Sequence, residues 1–226
     1  MADKALPRVA SYEPPDPAGF PAGRVGWTLD PGRAALLVHD MQKYFLAPYA
    51  DDAQVAALVS AVADVVADAR RAGVPVFYTA QPGVQSPEDR GLLTDMWGEG
   101  IGAVVDTRPE LEEIVDALAP RPGDVRLVKW RYSAFQRTDL SGELAARGRD
   151  QLLITGIYAS IGCLATAVEA FMRDVQPFMV GDAVADFSRD DHDHALDYVA
   201  RRAGVVTSVA QVRSALGEVV AAGGRR

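Results

Sequence analysis

Short apolar runs rich in branched residues alternate with segments of helical periodicity along most of this chain. From Ala34 the sequence reads AALLVHD, which has the character of a strand buried on both faces. The segment that follows begins with two aspartates, ends at Gly73 and places apolar residues at helical spacing between them. This alternation predicts strands joined by helical crossovers, and therefore a parallel sheet with helices on both sides.

The same pattern continues to the end of the 226 residues. Predicted strands cover 75–81, 125–130, 151–157, 177–183 and 204–209, and predicted helices cover 109–119, 141–148, 161–174, 189–202 and the segment after 209. We therefore expect an α/β fold: a three-layer αβα, doubly wound (Rossmann-like) and mainly parallel sheet of about six strands. In such sheets the ligand crevice lies beyond the carboxyl ends of the strands.

The first 33 residues have a different character, because six prolines interrupt any helix or central strand there. We expect 1–33 to form an extended proline-rich arm and 34–226 to form a single domain. The arm contains three aromatic residues, Tyr12, Phe20 and Trp27. Large apolar side chains favour burial, so we expect the arm to lie against the domain or a partner subunit.

The charge balance and cysteine count exclude several classes of function. With a formal charge of -8 and a pI near 4.9, the chain repels phosphate backbones and anionic lipid head groups. Its single cysteine, Cys163, rules out an internal disulfide and a cysteine-based zinc cluster. No run has the length of a signal peptide or a bilayer span, so a cytoplasmic location is expected.

The ends of four predicted strands carry polar residues: Asp40, Gln81, Lys129 and Tyr158. A carboxylate after a buried strand is costly unless it is paired or used, although a structural cap of the next turn is the alternative for Asp40. Two strand ends that meet in one crevice could bring Lys129 to Asp40, where a purely structural ion pair is also possible. His39 precedes Asp40 on the strand, so alternation predicts that it points to the opposite face as a hydrogen-bonded core residue.

A long segment, TAQPGVQSPEDRGLLTDMWGEG, follows the second strand and has few helix or strand signals. Long ordered loops above strand ends usually bind something. Arg90 within it could hold a substrate carboxylate in two parallel hydrogen bonds, or could simply be a solvated surface charge. The glycines of WGEGIG lack the strand and helix context of a dinucleotide site, and no phosphate-binding loop or serine-hydrolase elbow occurs.

Two further motifs allow a functional and a structural interpretation. Cys163 lies near a predicted helix start, where a thiolate nucleophile is favoured, but buried free cysteine often acts as a small hydrophobe. The run SRDDHDH (188–194) could bind a divalent ion, yet Ser188 and Asp191 have the spacing of a helix capping box. We favour the structural interpretation for both motifs.

Five motifs in order strongly resemble isochorismatase: LLVHDMQKYFL, YTAQPG, RGLLTDMWGEG, KWRYSAF and GIYASIGCLATAVEAFMRDVQPFMVGDAVADFSRD. The resemblance implies a doubly wound parallel sheet and a homodimer or larger assembly. It also implies hydrolysis of the vinyl ether of isochorismate to pyruvate and 2,3-dihydro-2,3-dihydroxybenzoate, in siderophore or phenazine-like secondary metabolism. No metal or other cofactor is implied, and the partner is a small anionic cyclohexadiene carboxylate.

The resemblance also implies roles for individual residues. Asp40 is the expected general acid, Lys129 its neighbour, and Gly162 stands where related cysteine amidohydrolases carry their nucleophile. One residue along a helix rotates a side chain by about 100°, so Cys163 should point away from the crevice. The residues expected around the substrate are Phe45, Gln81, Arg90, Trp97 and Tyr158.

One departure from the family pattern leaves the substrate open. Isochorismatases usually read Y-A-H-I-G, and this chain has Ser160 in place of the histidine. Alternatives are therefore the same reaction on 2-amino-2-deoxyisochorismate, giving dihydro-3-hydroxyanthranilate, a cysteine-dependent amidohydrolase, or a catalytically silent scaffold. For either vinyl ether, Asp40 must carry a proton in the complex, whereas a free aspartate is only about one part in a thousand protonated at pH 7.

Overall fold

A computed structural model of the chain describes residues 6–223, with side chains through Gly217. The strands are β1 Ala34–His39, β2 Val76–Ala80, β3 Val125–Val128, β4 Gln151–Ile157, β5 Gln176–Ala185 and β6 Val205–Thr207. The α-helices are α1 Lys43–Leu46, α2 Asp52–Arg71, α3 Pro87–Arg90, α4 Leu93–Trp97, α5 Leu140–Ala146, α6 Leu164–Met172, α7 Arg189–Arg202 and α8 Val209–Gly223. Among the described residues, no helix combines the length and the apolarity needed to cross a bilayer.

The six strands form one parallel sheet in the order β3-β2-β1-β4-β5-β6. This is the order of a doubly wound sheet, so the predicted fold class is confirmed. Leu36 of β1 pairs with Val76 of β2 on one side and with Leu153 of β4 on the other. The winding direction reverses between β1 and β4, which places the ligand crevice beyond the carboxyl ends of these two strands.

The sheet is buried on both faces, as the apolar strand runs require. Leu36 and Val38 of β1 face a core that includes residues of α2 and α8. Ala35 and Leu37 face the opposite core, which includes residues of α5, α6 and α7. Because side chains alternate along a fully buried strand, both faces of the sheet are apolar, and each face is covered by its own layer of helices.

The arm packs on the body of the protein through residues 6–33. Val9 is fully buried, and its backbone bonds to Pro48 and Ala50 at 2.9 and 3.0 Å in a short parallel bridge beside Tyr49. Tyr12 and Trp27 pack against the first core. The division into arm and domain stays a prediction, and residues 1–5 and 224–226 lie outside the described part of the chain.

Two sequence-based expectations in the segment between β2 and β3 were wrong. Residues 109–119 form two 3-10 turns, Pro109–Glu112 and Asp116–Leu118, instead of one helix. Between those turns the backbone pairs with the chain after β1, where Gln42 bridges to Ile114. The preceding segment, predicted to lack regular structure, contains the short helices α3 and α4. In the first case a tertiary partner outweighed the helical pattern of the sequence.

Candidate active site

The four polar residues predicted at strand ends each come directly after a strand: Asp40, Gln81, Lys129 and Tyr158 follow β1, β2, β3 and β4. Neighbouring parallel strands end at the same edge, so these side chains meet there. One cavity at this edge is lined by all eight predicted site residues: Asp40, Phe45, Gln81, Arg90, Trp97, Lys129, Tyr158 and Gly162. The structure therefore brings together the complete predicted set, whose catalytic and binding roles stay predictions.

Asp40 is held in an unusual backbone conformation at the centre of this cavity. Its φ is +49°, which is uncommon outside glycine and marks a residue whose position the surroundings dictate. The Thr79 hydroxyl donates to Asp40 Oδ1 at 2.7 Å and accepts from the Asp40 backbone N–H at 3.1 Å. Lys129 Nζ lies 2.9 Å from the other carboxylate oxygen. Sequence reasoning missed Thr79, whose only signal was its place near the end of β2.

Two opposing influences act on the ionisation of Asp40. The carboxyl is almost fully buried, which by itself raises its pKa. Lys129 and the Thr79 hydroxyl favour the charged form, and together they hold the pKa of Asp40 below its ordinary value. The unliganded site is therefore a buried ion pair.

Lys129 is as deeply buried as its partner, with 1% of the residue exposed. Besides the Asp40 carboxylate, its ammonium donates to the Arg131 carbonyl at 2.7 Å. A buried ammonium with a carboxylate and a carbonyl around it can exchange one partner for a ligand carboxylate. The pair can thus respond to an anionic ligand.

Arg90 supplies a second buried cation, with 6% of the residue exposed. Its described hydrogen bonds go to neutral oxygens, the Gly98 carbonyl at 2.7 Å and Gln85 Oε1 at 3.5 Å. Gly100 packs directly on the guanidinium, because a Cβ there would stand 2.8 Å from the guanidinium carbon. A guanidinium held by neutral groups beside a cavity is suited to bind a carboxylate in two parallel hydrogen bonds.

Aromatic rings form one wall of the site. Tyr158 stacks on Phe187 with ring centroids 4.0 Å apart, and Phe187 stacks in turn on Trp97 at 6.2 Å. The Tyr158 hydroxyl donates to the Phe45 carbonyl at 2.6 Å, and burial raises the pKa of this phenol, so it keeps its proton. Trp97 Nε1 donates to the Tyr132 hydroxyl at 2.7 Å. Tyr132 also lines the cavity, whereas Phe187 stacks behind it on Tyr158 and Trp97. Sequence reasoning missed both residues, because their places at the site follow from contacts with residues far away in the chain.

Gly162 and Cys163 lie in a π-helical turn, Ala159–Cys163, that leads into α6. Gly162 lines the cavity, whereas Cys163 is fully buried in the core on the α6 side of the sheet. Burial raises the pKa of the Cys163 thiol well above its ordinary value, which disfavours a thiolate. The orientation expected for Cys163 agrees with this geometry.

His39 does not point to the face opposite Asp40, contrary to the alternation argument. The positive φ of Asp40 ends the strand geometry at that residue, and the His39 ring lines the same cavity, with Nδ1 3.8 Å from Asp40 Oδ2. His39 is nevertheless a hydrogen-bonded core residue, as expected. Burial holds its pKa below the ordinary value, so the ring is neutral.

Ser160 and the SRDDHDH run take part in hydrogen bonds that hold the fold together. Ser160 lies in a groove beside the cavity, and its backbone N–H donates to the buried carboxylate of Asp186. Ser188 caps α7 by accepting from the Asp191 N–H at 3.1 Å, as the capping-box interpretation predicted. His192 on that helix is buried and bonds to Tyr12 and to the Gly181 carbonyl.

Comparison with known proteins places this geometry in context. The model of a family described as the isochorismatase domain matches residues 34–211. The chain is 49% identical over 199 residues to the isochorismatase of Bacillus subtilis (strain 168), a match that spans 88% of this chain and 62% of that protein. It is 47% identical over 209 residues to the phenazine biosynthesis protein PhzD of Pseudomonas fluorescens, spanning 92% and 98%. A solved structure, the cysteine hydrolase from Pseudomonas syringae pv. phaseolicola 1448A, superposes with a TM-score of 0.75 at 28% identity, covering 89% of this chain and 99% of that one.

Proposed function

Because the chain belongs to the isochorismatase family, we propose that it hydrolyses the vinyl ether of isochorismate to pyruvate and 2,3-dihydro-2,3-dihydroxybenzoate. The observation that carries the proposal is the buried Asp40–Lys129 pair in a cavity that also holds the Arg90 guanidinium. This arrangement offers one acid and two cations to a substrate with one vinyl ether and two carboxylates. One relative is named for phenazine biosynthesis, which supports a role in secondary metabolism.

The proposed chemistry begins with a proton transfer to carbon. Asp40 gives its proton to the terminal methylene of the vinyl ether, and the electron pair of the double bond forms the new C–H bond. Water adds to the resulting oxocarbenium ion and loses a proton, which restores the acid form of Asp40, and the hemiketal that forms collapses to pyruvate and the ring alcohol. General acid catalysis of this kind typically contributes about 10² to 10⁴ fold.

The difficulty for this mechanism is that the resting Asp40 is ionised. We infer that a substrate carboxylate forms an ion pair with Lys129 in place of Asp40, and that the bound ring excludes water. The influence that lowers the pKa of Asp40 is then weakened, while burial, which raises it, is strengthened. Arg90 would hold the second carboxylate and fix the methylene above the acid.

The decisive experiment replaces Asp40 by asparagine, which keeps the shape and the hydrogen bond to Thr79 but has no acidic proton. Pyruvate release should fall by a factor of about 10² or more, while substrate still binds. Pyruvate can be followed with lactate dehydrogenase, and binding by calorimetry. Near-normal turnover of the variant would refute the assigned role.

A second substrate, 2-amino-2-deoxyisochorismate, is favoured by the identity to a phenazine biosynthesis protein across nearly its whole length. The two substrates differ in one ring substituent, so both fit the same acid chemistry. Measuring kcat/KM for pyruvate release from each, side by side, decides between them. A higher value for the amino compound would assign the chain to that reaction.

A cysteine-dependent amidohydrolase is the competing reaction class. The burial of Cys163 away from the cavity counts against it. We expect a Cys163→Ala variant to retain pyruvate release within a few fold of the wild type. Loss of an amidase activity in that variant would instead support the competing class.

We further propose a homodimer in the cytoplasm. The support for self-association is an exposed apolar surface on both sides of Tyr132, to which Leu92, Met96 and Met172 contribute, each more than 60% exposed. Such patches often mark protein interfaces. Sedimentation of the wild type and of a Met172→Glu variant tests the idea, since the dimer should weaken in the variant, and a monomeric wild type would contradict it.

A further inference from the structure

The His39 ring occupies the space in which a side chain at position 162 would begin. A Cβ built on Gly162 would meet three atoms of the ring, with Nε2 at 2.7 Å, Nδ1 at 3.0 Å and Cε1 closer still. Side-chain carbons do not approach other atoms so closely. Glycine at this position is therefore matched to the imidazole, in addition to lying in the cavity wall.

The ring itself has little freedom to move aside. His39 is fully buried, Nδ1 lies 2.8 Å from the Ile157 carbonyl and Nε2 lies 3.3 Å from the Tyr132 carbonyl. A neutral imidazole carries one N–H, and the shorter contact assigns it to Nδ1, so the Tyr132 carbonyl is a packing neighbour of Nε2 and not its hydrogen-bond partner. Packing on Gly162 and the bond to Ile157 together fix the plane of the ring.

The groups that hold the ring also lead to the substrate-facing residues. Ile157 immediately precedes Tyr158, and Tyr132 follows Lys129 by three residues in the same loop. The ring then reaches Asp40, with Nδ1 3.8 Å from Oδ2. His39 thus joins the ends of β1 and β4, which carry Asp40 and Tyr158, through its bond to Ile157, and it packs against the loop after β3, which carries Lys129.

We propose that His39 is a positioning residue that sets Asp40 against the substrate, and that Gly162 is required at its site chiefly to leave room for this ring. The inference rests on the proposed function, because it concerns the placement of the proposed acid. It also defines which reaction the fold can support: while His39 stands there, no nucleophilic side chain fits at position 162.

The test is a set of paired substitutions at the two positions. Gly162→Ala alone pushes the ring and should lower kcat by about 100-fold, the scale expected for a displacement near 1 Å in an active site. In a His39→Asn background the amide nitrogen replaces Nδ1 and keeps the bond to Ile157, while the two ring atoms nearest Gly162 are absent. Adding Gly162→Ala to that background should then cost less than about 3-fold in kcat.

Controls separate positioning from a general packing defect. Gly217→Ala is the matched control, because a Cβ there meets nothing within 4 Å, and it should leave kcat unchanged. His39→Leu, which fills the space without a donor, should lower kcat more than His39→Asn and leave KM nearly unchanged. Equal kcat for these two variants would overturn the positioning role.

Thermal unfolding of the same variants covers the case in which Gly162→Ala does not fold. Rescue of folding by His39→Asn supports the matched pair, and equal penalties in both backgrounds overturn it. The two proposals fail differently. A wild type that releases no pyruvate contradicts the proposed function, whereas an active wild type with additive losses in kcat contradicts only the inference about His39.

Discussion

Two buried polar regions of this protein differ in how their polar groups are satisfied: one contains an ion pair and the other a chain of neutral hydrogen bonds. The acid centre, made of Asp40, Thr79 and Lys129, carries full charges that lie 2.9 Å apart. The arm anchor, made of the Tyr12 hydroxyl, the Asp186 backbone N–H and the His192 ring, joins the N-terminal arm to the body. There the Asp186 N–H donates to the Tyr12 hydroxyl at 2.8 Å, the hydroxyl donates to His192 Nδ1 at 3.1 Å, and His192 Nε2 donates to the Gly181 carbonyl at 2.9 Å.

The difference between them indicates which region serves chemistry. A neutral chain of hydrogen bonds with every group matched stabilises the fold without a large desolvation cost. A buried ion pair is often no more stable than apolar residues of the same volume, and here one partner also has a positive φ. Stability alone does not account for the acid centre, and the proposed acid catalysis does.

Among the changes considered, Lys129→Met should lower the stability of the protein most, because it removes one charge of the acid centre and keeps the side-chain volume. The carboxylate of Asp40 is then buried without its cation, and the free energy of unfolding at pH 7 should fall by about 3 to 5 kcal/mol. Without Lys129, burial raises the pKa of Asp40, so the variant should regain stability as the pH falls. Denaturant unfolding between pH 7 and pH 5 measures both effects.

Two controls accompany this prediction. Asp40→Asn combined with Lys129→Met leaves no buried charge at either position and should recover most of the lost stability. Lys43→Met affects an exposed pair with Glu113 and should change stability far less. If Lys129→Met were harmless at pH 7, the acid centre would not hold an ionised carboxylate, and the proposed control of its proton would be wrong.

The arm anchor predicts a second effect, in the pH dependence of stability. Burial lowers the pKa of His192 to about 4 in the folded chain, from an ordinary value of 6.5. The unfolded chain binds the proton more readily over that interval, so stability is lost as the pH falls from 6.5 towards 4, by about 3 kcal/mol in total.

The measurement is the difference in unfolding free energy between the wild type and His192→Gln at several pH values. That difference removes the contributions of other groups, including Asp186, whose pKa burial raises. A flat difference for His192 would mean that this ring is not a buried neutral partner of Tyr12.

The charged pair of the acid centre was predictable from the sequence, whereas Thr79 and the arm anchor were not, for a physical reason. Asp40 and Lys129 each follow an apolar strand run, and the topology of a parallel sheet alone brings strand ends to one edge. Tyr12 is separated from His192 by 180 residues and from Asp186 by 174, with no periodic pattern to connect them. The shared side of His39 and Asp40 was also missed, because alternation does not encode the left-handed φ of Asp40.

The smallest expected effect comes from Tyr12→Phe, which removes one hydroxyl from the arm anchor. The Asp186 N–H and His192 Nδ1 lose their partner, so the free energy of unfolding should fall by about 1 to 2 kcal/mol. Asp186 also binds the N–H of Ser160 in the π-helical turn Ala159–Cys163, the turn that contains Gly162. Any change in kcat therefore measures whether the arm anchor helps to position the active site. If stability falls and kcat is unchanged, the arm anchor has a structural role alone. A loss of kcat comparable to that of Gly162→Ala would instead show that the arm anchor positions the turn Ala159–Cys163, and the contrast between chemistry and structure would no longer hold.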